Sequence, residues 1–139
     1  MSQPLPPSRF TGPLTRQYLK DIGAAFNSRD VERITSYFHD DCIFWLALGP
    51  EYTGRSIVGK EAVRQLLAAR FKVIPDMAWA RLDEYVAGEN RGVTVWRVTG
   101  KSADGTVLDY KGCDLYEFKD GLNRYLDGLA SSGGDFTQW

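Results

Sequence analysis

The sequence predicts an α+β domain in which the helices come early and most of the strands come late. Apolar residues recur at helical spacing in three segments of the first half of the chain. The second half instead alternates apolar and polar residues between short turn sequences. This order favours the α+β class, with three helices against one face of a curved antiparallel sheet, an arrangement that can enclose a pocket.

Three helices are predicted before position 72. The first covers residues 15–27, with Thr15 available as its N-cap and with apolar positions Tyr18, Ile22, Ala25 and Phe26. The second is shorter, begins after Asp30 and is predicted to end near residues 39–41. The third covers residues 59–71 and is stopped by the sequence Ile74-Pro75-Asp76.

The strands are predicted from apolar runs and turn sequences. CIFWLAL, residues 42–48, is apolar on both faces and predicts a buried strand that ends at Gly49-Pro50, followed by a loop or bent strand. The turn sequences GENRG, SADG and KDG separate four later segments, which predicts an antiparallel meander. These segments are Met77–Ala87, Gly92–Lys101, Val107–Lys119 and residues 122 to about 129.

Length and charge limit the possible classes of protein. A chain of 139 residues predicts one domain, here residues 14–129, with a Pro-rich lead-in over 1–13 and a Gly/Ser-rich tail over 130–139. The net charge of -1 and the lack of a basic block argue against a nucleic-acid partner. The longest apolar run is too short to span a bilayer, so no membrane partner is expected. The N-terminus does not resemble a secretory signal, which favours the cytoplasm.

Metal and disulfide chemistry are not indicated. Two cysteines, Cys42 and Cys113, are interpreted as buried free thiols in a reducing compartment, and a single histidine gives little for a metal site. No GxSxG, CxxC, P-loop or GxGxxG motif is present, which removes the strongest signals for serine hydrolase, redox, nucleotide-hydrolysing and dinucleotide chemistry.

One predicted strand carries a carboxylate on its otherwise apolar face. In residues 107–118 the even positions are Leu108, Tyr110, Gly112, Asp114, Tyr116 and Phe118, so Asp114 points inward unless a bulge intervenes. Burial raises the pKa of a carboxyl group, which suits acid or base chemistry near neutral pH, or donation to an oxyanion. The neighbouring tyrosines could help to hold a ligand oxygen. The alternative is a structural aspartate bonded to a backbone N–H or to an arginine.

The other candidates are weaker. Glu84 could face inward or outward, since either face of its strand could be buried. Asp127 is interpreted as a solvated charge near a turn, and His39 as a surface residue. The tryptophans at strand positions, Trp45, Trp79 and Trp96, are either core residues or pocket walls, and the sequence leaves both open.

The order of elements resembles the nuclear transport factor 2-like superfamily. The stretches AAFNSRDVERITSYFHDDCIF, VGKEAVRQLLAARF and GCDLYEFKDG carry this resemblance, which covers about Leu14 to Asp127. Within the superfamily they are most similar to the SnoaL-like branch, which includes polyketide cyclases and ketosteroid-isomerase-like proteins. The resemblance implies a cone, in which a strongly bent, mostly antiparallel sheet wraps around three helices and encloses an apolar pocket, usually in a homodimer packed through the sheets.

The resemblance also implies roles for individual residues. Asp114 aligns with the aspartic acid that stays protonated and donates to the oxyanion in ketosteroid isomerases. The general base of those enzymes falls at Leu46, and their oxyanion-binding tyrosine falls near Ile22, with Tyr18 one turn earlier. In relatives the last strand often ends with a basic residue, Asp, Ser, an aromatic residue and Trp. This sequence has only the aspartate of that pattern, at Asp127. These departures argue against steroid isomerisation by that mechanism.

The predicted function is therefore a cofactor-independent isomerase, cyclase or dehydratase that acts on a small apolar or aromatic oxygenated metabolite. No cofactor or metal is required, because positioned hydrogen bonds alone can stabilise an enolate. Asp114 and Tyr116 are the predicted catalytic residues, and the predicted substrate-binding residues are Tyr18, Trp45, Leu46, Trp96 and Tyr110. The alternative is a non-catalytic small-molecule-binding or dimerisation module of the same fold, which the missing base at Leu46 favours.

Overall fold

The computed structural model describes residues 8–51 and 54–130. These residues form three helices, α1 (Arg16–Ser28), α2 (Val31–Thr35) and α3 (Lys60–Val73). They also form six strands, β1 (Phe38–Glu51), β2 (Gly54–Val58), β3 (Ala78–Ala87), β4 (Arg91–Lys101), β5 (Val107–Lys119) and β6 (Leu122–Ala130). Within the described part of the chain, no helix has both the length and the apolar character needed to cross a membrane.

The first two helices begin where the sequence predicts. Thr15 caps α1 by accepting a hydrogen bond from the Tyr18 backbone N–H, and Asp30 caps α2 by accepting from two backbone N–H groups. Helix α2 ends at Thr35, however, so the prediction that it continues to residues 39–41 is wrong. The reason is tertiary, because the carbonyl of Tyr37 accepts from Asn123 of β6 and the chain is already in β1 at the next residue.

Strand β1 is longer than predicted at both ends. It runs from Phe38 through Gly49-Pro50 to Glu51, so those two residues do not end it. Its pairing with β2 has a register shift between Leu46 and Glu51, which is where the glycine and proline lie. The segment after it was predicted as a loop or a bent strand, and residues Gly54–Val58 form the strand β2. Helix α3 then follows Gly59, whose φ of 92° favours glycine.

The six strands form one sheet in the order β2-β1-β6-β5-β4-β3. The predicted antiparallel meander from β3 to β6 is confirmed, and β1 then pairs in parallel with β6. The helices pack against one face of this mixed sheet, which is the predicted α+β cone. We call the face toward the helices the inner face and the opposite one the outer face.

The core lies between the helices and the inner face. Its largest fully buried apolar side chains are Leu19, Ile22, Ile34, Phe38, Val63, Leu67, Val98 and Leu126. Part of the predicted lead-in also packs here, because the Phe10 ring lies 4.7 Å from that of Tyr18 and 5.5 Å from that of Phe118, measured between ring centroids. Residues 1–7 and 131–139, which hold the rest of the predicted lead-in and nearly all of the tail, lie outside the described residues.

Candidate functional site

Strand β5 presents the predicted apolar face to the inside. The β4–β5 register is continuous from Val107 to Glu117, so no bulge interrupts the alternation on either side of Asp114. Asp114 lies opposite Thr94 of β4 and opposite Gly128 of β6, so these three residues form a row across the inner face. The sequence prediction of an inward carboxylate is therefore confirmed by the strand pairing.

A cavity of about 640 Å³ lies between this face and the helices. That volume is in the range of small-molecule binding sites. The wall is mainly apolar and includes Leu19, Phe26, Ile74, Met77, Trp79, Trp96, Val98 and Leu108. The polar groups set into it include Arg70, Thr94, Tyr110, Asp114 and Tyr116. An apolar pocket with a few convergent polar groups is the usual form of a ligand site.

The surroundings of Asp114 shift its titration toward neutral pH. Burial raises its pKa from 3.8 to about 7, because the apolar wall disfavours the charged form. The Trp96 indole N–H and the Tyr116 hydroxyl oppose part of this rise, and the nearby Asp127 adds to it. The Tyr116 hydroxyl donates to Asp114 Oδ2 over 3.4 Å, a long hydrogen bond. Both protonation states of Asp114 are therefore populated near neutral pH.

Gly112 creates the space that Trp96 occupies beside Asp114. A Cβ atom at position 112 would lie 2.8 Å from Trp96 Cζ2 and 2.6 Å from the Leu129 carbonyl oxygen, so any larger residue would collide. The Trp96 Nε1 atom is buried without a hydrogen-bond partner of good geometry among the described residues, and Asp114 is the acid whose pKa it influences. Gly112 and Asp114 are two residues apart and therefore share the inner face, which places the indole next to the inward carboxyl group.

Five of the other predicted site residues also border the cavity. Trp96, Tyr110 and Tyr116 lie on the inner face with Asp114, and Leu46 reaches the wall from β1. Trp45 borders the cavity as well, but its pairing with Asp127 places its side chain toward the outer face. We therefore attribute the place of Trp45 in the wall to its backbone, since its carbonyl oxygen would lie 3.5 Å from a Cβ atom at position 128.

Tyr18 lies elsewhere, and the structure does not bring it to the cavity. Its hydroxyl is within 2.5 Å of the Ser8 carbonyl oxygen and 3.0 Å of the Gly121 carbonyl oxygen, and its ring packs edge-on against Phe118. Burial raises the pKa of this phenol further above its ordinary value. Tyr18 therefore joins the N-terminal segment to the β5–β6 turn, a structural role, and we correct its assignment as a substrate contact.

The remaining acids and the histidine do not supply a second carboxyl beside Asp114. Asp127 pairs with Leu115 on the outer face, where it is half-buried rather than solvated, and burial raises its pKa. His39 lies near the surface with its Nε2 atom 3.4 Å from Asp120 Oδ2. At the position of the missing base, Leu46 contributes only apolar wall. Cys42 and Cys113 are both free, and Cys42 is buried as predicted, whereas Cys113 is only half-buried.

Glu84 faces inward because of a bulge that the sequence does not reveal. The β3–β4 register skips Leu82, which reverses the alternation, so that Arg81 before the bulge and Glu84 after it point to the same face. The Glu84 side chain is 1% exposed and accepts from Arg81 at 2.8 Å and Arg16 at 3.2 Å, with Lys20 at 3.6 Å. Burial raises its pKa, but these cations outweigh burial and lower it below its ordinary value. Glu84 therefore joins α1 to β3 as an ion-pair centre.

Arg70 is a charged cavity residue that sequence reasoning missed. It is half-buried near the end of α3 and lines the cavity together with Tyr110 and Asp114. Its spacing from the fully buried Val63 and Leu67 places it on the inward face of the helix. This spacing could have identified Arg70 from the sequence, because a charged residue at a position in line with core residues breaks the amphipathic pattern.

The mixed sheet, the three helices and the inner cavity together define the nuclear transport factor 2-like fold class. A family model described as SnoaL-like domain matches residues 16–125, and the chain belongs to this family. A search of the curated proteins found no match.

Solved structures agree with this assignment. A cystatin-fold protein from Novosphingobium aromaticivorans is 26% identical with a TM-score of 0.70, and the alignment covers 81% of this chain and 95% of that chain. A putative polyketide cyclase from Xanthomonas campestris is 16% identical with a TM-score of 0.74, over 88% of this chain and 93% of that chain. A hypothetical protein with a ketosteroid isomerase-like fold from Catenulispora acidiphila, in complex with trimethylamine, is 14% identical with a TM-score of 0.74, over 90% and 93%. The last two identities indicate a shared fold only.

Proposed function

We propose that the protein is a cofactor-independent isomerase, cyclase or dehydratase that acts on a small apolar or aromatic oxygenated metabolite in the inner cavity. The observation that carries the proposal is the inward Asp114 carboxyl group, which lies in an apolar wall and titrates near pH 7. A catalytic acid or base works best when its pKa is close to the working pH. Asp114 is the proposed proton-transfer residue, or the donor to an oxyanion.

The proposed chemistry is a proton transfer next to a carbonyl group. Ionised Asp114 takes a proton from the carbon beside the carbonyl, and the electron pair moves onto the carbonyl oxygen to give an enolate. The proton then returns to the same carbon, to another carbon or to a leaving hydroxyl group, which corresponds to exchange, isomerisation or dehydration. Tyr116, whose hydroxyl donates to Asp114 over 3.4 Å, holds the carboxyl group in place, and Tyr110 is a donor on the same inner face for the substrate oxygen.

The shape and lining of the cavity support this substrate class. Aromatic walls formed by Phe26, Trp79 and Trp96 suit a flat apolar ring, and the Phe26 and Trp79 rings meet edge-on at 5.5 Å between centroids. The likeness to a putative polyketide cyclase points in the same direction, toward oxygenated ring compounds. It supports the proposal through the fold alone, since the identity is 16%.

The test is hydrogen exchange on a probe ketone. Wild-type protein is incubated with 2-tetralone in D₂O at about neutral pH, and loss of the α-proton signals is followed by ¹H NMR against a protein-free control. We expect Asp114→Asn to lower the enzymatic exchange rate by about 10²-fold or more, the usual contribution of a general acid or base. The matched control is Asp109→Asn, the same substitution on the outer face of the same strand. Equal rates in wild type and Asp114→Asn would remove Asp114 from the mechanism.

The second candidate is a binding module without turnover, which the apolar Leu46 wall favours. In ketosteroid isomerases the aligned position supplies the general base, and here the other carboxyl group of the described wall, Asp21, belongs to an exposed position of α1. The same NMR experiment separates the two functions. A probe whose signals broaden or shift with added protein, while its α-protons exchange at the protein-free rate, identifies a binding module.

We also propose that two copies pair through the outer face of the sheet, as the resemblance implies. Supporting this, Leu115 and Leu129 are 38% and 37% exposed and lie on that face with Val93 and Val95. Size-exclusion chromatography with light scattering tests it, and a monomer at micromolar concentration would contradict it. The cytoplasm remains our proposed location, which the free thiols suit.

A further inference from the structure

Arg70 stands apart from the other cations of the cavity wall. Lys20 and Arg81, which also line the cavity, both lie within 4 Å of the Glu84 carboxylate. Arg70 has no carboxylate within that distance and no side-chain hydrogen bond to any of residues 8–51 and 54–130. It is therefore a half-buried cation whose charge the described part of the protein does not neutralise directly.

The groups around Arg70 do not fully compensate its positive charge. Burial lowers the pKa of Arg70 from its ordinary value, while Tyr110 and Asp114 oppose that effect. A guanidinium group nevertheless stays charged in proteins. Asp114 is mainly protonated below pH 7 and then provides no counter-charge. A buried cation without a partner costs free energy, and an anionic ligand would remove that cost.

The polar groups near Arg70 are mostly hydrogen-bond donors. No side-chain hydrogen bond from the Tyr110 hydroxyl to the described residues is formed, and the buried Trp96 Nε1 has no partner of good geometry there beyond its influence on Asp114. The two rings are neighbours, with centroids 6.5 Å apart. Protonated Asp114 adds a further O–H donor. A site with surplus donors and one free guanidinium is complementary to negatively charged oxygen, because charge-assisted hydrogen bonds are the strongest of this type.

We propose that the ligand of the cavity carries one anionic oxygen group on an apolar ring, either a carboxylate or the conjugate base of an acidic enol or phenol, and that Arg70 binds this group. The inference rests on the proposed function in that it names the substrate class of the same cavity. It assigns to Arg70 a specificity-determining role, while proton transfer remains with Asp114.

The test measures binding rather than turnover. Isothermal titration calorimetry at about pH 6, where Asp114 is mainly protonated, compares two matched pairs of probes. In the first pair 2-naphthoate is set against the neutral ketone 2-acetylnaphthalene, and in the second the acidic enol 4-hydroxycoumarin is set against coumarin. Each probe is titrated into wild type, Arg70→Gln and Arg70→Lys. Arg33→Gln, which makes the same charge change at an exposed site on α2, is the control.

We expect wild type to bind the anionic member of at least one pair about tenfold or more tightly than its neutral partner. Arg70→Gln is expected to abolish that preference, Arg70→Lys to keep part of it, and Arg33→Gln to leave it unchanged. The pair that shows the larger preference identifies the group as carboxylate or enolate. Because the wild-type comparison needs no variant, it remains informative even if a substitution at position 70 impairs folding.

Three results would overturn the inference: equal affinity for the charged and neutral probes, an anion preference that survives in Arg70→Gln, or no binding of any probe at millimolar concentration. The outcomes are separable from those of the proposed function. If Asp114→Asn exchanges protons at the wild-type rate, the proposed function fails while the Arg70 result stands. If Arg70→Gln keeps the anion preference while exchange depends on Asp114, only the present inference fails.

Discussion

Replacing Asp114 by asparagine should stabilise the protein relative to wild type by an amount that increases as the pH rises. Asparagine has nearly the same shape but cannot ionise. In wild type the pKa of Asp114 is about 7 in the folded state, against an ordinary value of 3.8. Between these two values the folded state binds the proton that the unfolded state releases, so wild-type stability falls as pH increases.

The size of the effect follows from the pKa. Each pKa unit corresponds to about 1.36 kcal/mol, so the full rise from 3.8 to about 7 amounts to roughly 4 kcal/mol. The difference in unfolding free energy between Asp114→Asn and wild type should therefore increase by about 1.4 kcal/mol for each pH unit above about pH 4. It should level off above about pH 7, where the folded-state carboxyl group is ionised too.

The measurement is urea unfolding of both proteins at several pH values between about 4.5 and 8.5, followed by tryptophan fluorescence and far-ultraviolet circular dichroism. Taking the difference between the two proteins cancels the titration of all other groups, and any fixed effect of the amide remains only as a pH-independent offset. Asp109→Asn is the control, because the ion pair with Arg97 lowers the pKa of Asp109. The difference in unfolding free energy between Asp109→Asn and wild type should stay constant over this pH range, because Asp109 titrates below the range in both the folded and the unfolded state.

A pH-independent difference between Asp114→Asn and wild type, constant to within about 0.5 kcal/mol, would refute the reasoning. It would mean that Asp114 titrates as an ordinary exposed carboxylate and that the wall around it is wet or open. The proposal of acid or base catalysis near neutral pH would then lose the observation on which it depends.

Two further substitutions test the architecture around the site. Gly112→Ala should destabilise the protein by about 1–3 kcal/mol in urea unfolding, because its Cβ would collide with Trp96 and the strand backbone. The control is Gly23→Ala, which should instead stabilise α1 by about 0.5–1 kcal/mol, because a Cβ atom there meets nothing within 4 Å. A Gly112→Ala protein as stable as wild type would show that Trp96 does not pack against the strand at Gly112. Glu84→Gln should cost about 1–2 kcal/mol at neutral pH, because three partly exposed cations lose their shared carboxylate. Because the folded-state pKa of Glu84 is lowered, that cost should shrink as the pH falls through its titration, and an unfolding midpoint equal to wild type at neutral pH would contradict the ion-pair role.

Strand alternation was sufficient to predict the position of Asp114, because β5 pairs with β4 without a bulge on either side of it. The same reasoning failed to decide the orientation of Glu84, because the bulge at Leu82 reverses the alternation within β3. A bulge depends on pairing with the neighbouring strand, and a single strand's sequence does not contain that information. The end of α2 also depends on a distant part of the sequence. The Asn123 backbone N–H donates to the Tyr37 carbonyl oxygen, and the chain continues from there as β1.

Tyr18 and Arg70 show what helical periodicity cannot predict. Both lie on inward positions of amphipathic helices, yet Tyr18 packs beneath the N-terminal segment while Arg70 lines the cavity. The spacing within a helix specifies which face is inward. Whether that face meets packed side chains or an open space depends on how the helix lies over the sheet.

The sequence by itself determined the α+β class, the meander, the helix caps and the inward carboxyl group at Asp114, because each of these depends on residues close together in the chain. Only the tertiary structure decided that Asp114 faces a cavity, that Trp96 occupies the space left by Gly112, and that Arg70 shares the wall with them. Desolvation and electrostatic coupling between these groups depend on distances through space, and those distances exist only once the sheet has bent around the helices.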